Sequence, residues 1–192
     1  MLLMGFFALM CLGELTFAND KELCDWRKIS KRSSVILSDS QYEFHLPYHK
    51  ADHFFDGNHV IVHSEQFSHI NPLSHFRTYL ASQDSLFPAS SPLWLTSRGL
   101  VPTCDFFLHR IRIFFNKDVA GQSMHASGAT SLAENGVAPN IIQAIGRWSS
   151  DAFLIYIRKN PVLVQALLFS RRVPTAQFLS LFFSSFFLSF LY

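Results

Sequence analysis

The sequence predicts an α+β fold, a small antiparallel sheet resting on a mainly helical body. Three β-type segments crowd into residues 34–63, and from Thr103 onward the spacing of apolar residues is helical. Strands gathered first and helices after them mark this class, whereas strands and helices alternating would mark α/β. The 192 residues are 49% hydrophobic and 16% charged, enough apolar material for a buried core and too much for a disordered chain.

Each element has a local reason. In residues 1–18 the apolar Leu2, Phe6, Leu9 and Leu12 recur at helical spacing, which suits a buried helix. Thr16-Phe17-Ala18 also has the shape of a leader cleavage site, although no basic residue precedes the apolar run and Glu14 stands before the cut. Both readings stay open. Residues 27–32 form a basic loop. Strands are expected at 34–38 and 42–46 around the Asp39-Ser40 turn, and at 58–63, with a loop over 47–57. Asn71-Pro72 opens a helix to about residue 82, since proline suits the first helical position. Residues 90–99 connect, around Leu93-Trp94-Leu95. Thr103 caps a run with Phe106, Phe107, Ile111, Phe114 and Phe115. A helix over 127–135 stops at Gly136, Pro139 opens another over 140–147, and two more are expected over 149–158 and 161–169.

Residues 170–192 form an apolar, low-complexity tail that carries no charge after Arg172. From Phe178 it is short for a spanning helix of ~20 residues; extended back to Val173, it gains Arg171-Arg172 as an anchor. Membrane contact by the tail and sequence outside any fold both remain open. Cys11, Cys24 and Cys104 make neither a disulfide framework nor a metal knuckle, which favours a reducing, intracellular compartment. His45, His49, His53, His59, His63, His69 and His75 are numerous but irregular, so no metal site is expected. A net charge of +2 permits a nucleic-acid partner without demanding one.

Residues 121–168 carry an identity. The slot Gln122-Ser123-Met124-His125, then Gly146-Arg147-Trp148, then Tyr156 in Ile155-Tyr156-Ile157-Arg158 resembles the catalytic region of tyrosine recombinases, the phage-integrase family. The wording is closest to recombinases associated with mobile elements in fungal genomes. Upstream, the likeness takes in Leu93-Trp94-Leu95-Thr96 and residues 46–52, and it reaches Leu12-Gly13-Glu14-Leu15, which looks like the family's Arg-x-Gly/Ser-Glu-Leu helix. It implies a recombinase catalytic domain over residues 5–169, beginning at the first catalytic helix, so that the family's N-terminal DNA-clamping domain is expected to be absent.

The resemblance also implies a chemistry. In the family a tyrosine attacks the scissile phosphate and forms a 3′-phosphotyrosyl bond without a cofactor. Two arginines clamp the charge that develops on the phosphate oxygens, a His or Trp adds a hydrogen bond, and a hairpin lysine protonates the leaving oxygen. Carried over, Tyr156 is the nucleophile, Lys50 the general acid, and Trp148 or Arg147 the His/Trp position. Counting nine residues back from Tyr156 lands on Arg147, while residue type favours Trp148. Glu14 is expected to pair with a basic group in the site, to cap, or to stand solvated.

The departures are specific. Cys11 occupies the slot of the first arginine, His125 that of the second, and Gln122 that of the preceding histidine. Histidine lacks the guanidinium fork and is only partly charged at neutral pH. The resemblance therefore implies a catalytically degenerate, nuclear or intracellular protein. Its expected partner is double-stranded DNA, together with recombinase protomers of the same type. Candidate DNA contacts are Arg27, Lys28, Lys31, Arg32, Arg110, Arg112, Arg158 and Lys159, since positive charge reaching the backbone suffices for them. The competing reading is a secreted or tail-anchored protein, and it rests on the two apolar ends alone.

Overall fold

A three-stranded antiparallel sheet is the frame of the computed structural model, which describes residues 1–50, 52, 54–64, 70–115 and 119–148. Strand β1 (Ile36–Leu37) pairs with β2 (Gln41–Leu46), and β2 pairs with β3 (Asn58–His63) in the register Tyr42 to Val62 and Phe44 to Val60. Side chains alternate across a strand, so Tyr42, Phe44 and Leu46 all reach the interior, with Val60 and Val62 beside them. Helix α1 (Leu2–Phe7) and helix α3 (Pro72–Leu86) close over that face through Met4, Phe7, Leu73, Phe76 and Leu80. The Tyr42 and Phe76 rings stack 4.1 Å apart, and Trp94 packs edge-on against Phe44.

The remaining helices are α2 (Leu12–Leu15), α4 (Cys104–Arg112), α5 (Gly121–Glu134) and α6 (Pro139–Ile145). Leu9, Ala129, Ala133 and Ile142 join α5 and α6 to the turn after α1, while Phe107, Ile111 and Met124 join α4 to α5. Local signals hold as read. The Asn71 side chain accepts from the Ser74 N–H, that of Thr103 accepts from the Phe106 N–H, and Gly136 takes φ +77° behind α5. Gly128 lets α1 and α5 approach closely, because a Cβ there would collide with the Phe6 carbonyl.

Several boundaries differ from the sequence reading. The strand expected over 34–38 shrinks to Ile36–Leu37, behind a 3-10 turn at Arg32–Ser34. Ser34 Oγ donates to the Lys31 carbonyl and accepts from the His45 N–H, and Ser38 Oγ donates to the Gln41 carbonyl, so local serine bonds displace ladder bonds at both ends. Helix α5 begins at Gly121 instead of residue 127, because Ser123 Oγ accepts from the Ala120 N–H and closes an earlier first turn. Helix α3 continues to Leu86 through polar, mostly exposed residues that apolar periodicity does not register. The N-terminal run is two helices instead of one, broken at Leu9 with φ +48°. The helices expected over 149–158 and 161–169, and the tail, lie outside the described residues.

Candidate active site

Cys11 sits at the N-cap of α2, where its backbone N–H donates to Glu14 Oε2 at 2.9 Å. That bond orders the first turn and aims the Cys11 thiol at α5. Four residues past the start of α5, His125 lies on the face packed toward α1, only 8% exposed. The Cys11 Sγ and His125 Nδ1 atoms meet at 3.1 Å. Burial pushes the Cys11 thiol up to about 11, with the Glu14 charge adding to it. Burial, then the Arg147 charge, pulls His125 down to about 4. Both groups are therefore neutral near pH 7, and no thiolate forms. His125 Nε2 has no hydrogen-bond partner among the described residues, and the Trp148 ring covers the imidazole at 4.3 Å between centroids.

Arg147 stands next to Trp148 at φ +56° and turns inward. Its Nη2 donates to Glu14 Oε2 at 3.0 Å and to the Leu9 carbonyl at 3.0 Å, and its Nη1 donates to the Ile145 carbonyl at 3.0 Å. The side chains of Arg147 and Glu14 are 10% and 8% exposed, so the pair is buried. Burial raises the Glu14 pKa and Arg147 opposes it. Of the three roles expected for Glu14, it both pairs and caps, and its burial rules out the solvated one.

Lys50 is exposed in the loop after β2, and its charge reaches Cys11. Sequence reasoning missed what orders that loop. The Asp52 carboxylate accepts from the backbone N–H groups of Gly57 at 2.9 Å, Phe54 at 3.1 Å and Asp56 at 3.2 Å. The Asp56-Gly57 dipeptide after Asp52 is the signal that could have found it. Gln122 is exposed one turn before His125, and Tyr156 lies outside the described residues.

Cys11, Glu14, His125, Arg147 and Trp148 thus converge, and Lys50 reaches them through its charge on Cys11. A phosphate entering here meets a neutral imidazole and a thiol. The guanidinium present is already held by a carboxylate and by carbonyls.

The candidate DNA contacts divide. Arg27, Lys31, Arg110 and Arg112 are exposed, and Lys28 is half-buried. Arg32 is forked onto Asp84 at 2.9 and 2.6 Å, which draws its charge away from a passing phosphate. Arg158 and Lys159 lie outside the described residues. Among the described residues no group of three or more His, Cys, Asp or Glu could hold a metal ion.

No family model matches the chain, and no curated protein matches it. Solved structures do. The XerA recombinase matches at TM-score 0.64 and 20% identity, over 90% of this chain and 55% of that one. The XerH site-specific recombinase in a post-cleavage complex on a palindromic difH substrate matches at 0.56 and 16% identity, over 89% and 44%. Its pre-cleavage complex on a difH substrate matches at 0.54 and 15%, over 88% and 44%. The chain spans about half the length of these structures. Its fold is that of the tyrosine-recombinase catalytic domain.

Proposed function

We propose that the chain binds double-stranded DNA through this recombinase fold and performs no strand transfer, as a degenerate relative of mobile-element recombinases, of fungal type by its wording, acting inside the cell. The observation that carries the reading is the bond between Cys11 and His125. In this reading the two positions where the family places guanidiniums hold neutral groups bonded to each other at 3.1 Å. Losing one transition-state donor typically costs ~100–1,000-fold, and two lost charges cost more. In this reading Tyr156, Lys50 and Trp148 keep their family positions but face a phosphate that nothing clamps. The solved neighbours, recombinases of which two are XerH complexes on a difH substrate, support the choice of partner.

The test is a suicide DNA substrate whose cleavage traps phosphotyrosyl protein. The expected result is weak duplex binding, ~10⁻⁴–10⁻⁶ M at physiological salt, with no adduct. An adduct on the unaltered chain, lost in Tyr156→Phe, would make it an active strand-transferase.

The secreted reading has less support. Met4, Leu9 and Met10 are at most 2% exposed in the core, which favours a core segment over a cleaved leader. No helix among the described residues is long and apolar enough to cross a membrane, and the tail lies outside those residues.

A further inference from the structure

Rings and cations alternate where the basic loop meets the loop between β2 and β3. Lys28 Nζ lies 4.3 Å from the centre of the Tyr48 ring, Tyr48 packs on Phe55 at 5.0 Å, and the Arg27 guanidinium lies 5.0 Å over Phe55. Beside this ladder, Trp26 is 65% and Phe54 85% exposed. Trp26, Arg27, Lys31, His45, Pro47 and Pro92 line a cavity of about 870 Å³. That volume falls within the ~300–1,000 Å³ of ligand sites. None of its described lining residues is acidic. Asp25 forks onto Arg27 at 2.8 and 3.0 Å. Among the described residues no carboxylate pairs with Lys28 or Lys31.

We propose that this face holds an unpaired nucleic-acid strand, with bases stacked on Trp26 and Phe54 and phosphates tracked by Lys28 and Lys31. The choice of ligand follows from the rings. A duplex hides the faces of its bases, so only an unpaired base offers one to an exposed indole, whereas cations alone would serve a duplex backbone equally well. Lys28 already rests on the Tyr48 ring, so less side-chain freedom is lost when a phosphate arrives. The inference rests on the nucleic-acid reading above for its class of ligand, and it adds a second face with a different substrate form.

The experiment titrates the full chain with an oligothymidylate, a blunt duplex and an acidic peptide (oligoglutamate), reading fluorescence anisotropy and tryptophan emission. The expected result is quenching by the oligothymidylate. Trp26→Ala abolishes the quenching and weakens that affinity ~10-fold, while Trp26→Phe keeps most of the affinity and the duplex affinity does not move. Phe54→Ala, at a position too exposed to threaten folding, shows a similar loss. Lys31→Gln lowers the salt slope for the single strand by ~0.7. If the duplex binds but the oligothymidylate does not, or both ring variants bind it unchanged, this inference is overturned and the duplex reading stands. Tighter binding of the acidic peptide overturns it in favour of a protein-binding groove. Absence of binding to any nucleic acid overturns both readings.

Discussion

The Arg147 guanidinium donates to the Leu9 carbonyl at 3.0 Å, and both residues hold positive φ, +56° and +48°. Neither is glycine, and such conformations cost ~1–3 kcal/mol each and persist only where the surroundings impose them. Here each strained turn supports the other. Leu9 is fully buried between α5 and α6, and its turned backbone presents the carbonyl that Arg147 caps. Arg147 has to leave the helical conformation after α6 to reach it. The guanidinium is thereby tied to the fold, and the strain stands at the floor of the site.

Removing Glu14 should therefore damage stability more than any loss of surface charge. Glu14→Ala leaves the Arg147 charge buried without its carboxylate, and uncompensated buried charges cost ~3–5 kcal/mol. Replacing both residues with methionine should recover much of that loss. Urea unfolding of the single and double variants measures the difference. A Glu14→Ala effect under ~1 kcal/mol, the usual worth of exposed pairs, would contradict the buried-pair account.

Stability should rise with pH between about 4 and 6.5 because of His125. In that window the unfolded chain binds a proton on this imidazole that the folded chain does not. The contribution is complete above 6.5 and is lost as pH falls to about 4, amounting to ~3 kcal/mol. Melting temperatures across this window should climb steeply for the native chain and less steeply for His125→Gln. Equal slopes would place the titration elsewhere.

Gly128→Ala should loosen α1 from α5. The added Cβ meets the Phe6 carbonyl, a backbone atom that cannot swing aside, so the helices must separate. Overpacking of this kind costs ~1–3 kcal/mol. Gly13→Ala, where a Cβ meets nothing within 4 Å, is the matched control for denaturant unfolding.

Restoring guanidiniums tests the degeneracy. His125→Arg alone should give no phosphotyrosyl adduct, because Cys11 still leaves one side of a phosphate unclamped. Cys11→Arg with His125→Arg should give a detectable adduct on a nicked or suicide substrate, and it should vanish with Tyr156→Phe. Adduct formation by the single variant would mean that Cys11 does not limit the site.

Features that depend on near neighbours were legible in the sequence. The strands expected at 42–46 and 58–63 are those found, because β-branched and aromatic residues favour the extended chain locally. Asn71, Thr103 and Gly136 mark helix ends through bonds and dihedrals within a few residues. The motif order from Cys11 to Trp148 also points to the recombinase fold. Tertiary structure alone decided the rest. The Leu9 break carries no glycine or proline signal; an arginine 138 positions away caps its carbonyl. Cys11 and His125 are 114 positions apart, and only the close approach of α1 and α5 over Gly128 brings thiol and imidazole together. Arg147 reads as a candidate hydrogen-bond donor to substrate until burial beside Glu14 shows both its Nη groups already bonded within the fold. Those contacts exist only when distant segments share one dry interior, where an unpaired charge or carbonyl is costly enough to choose its partner.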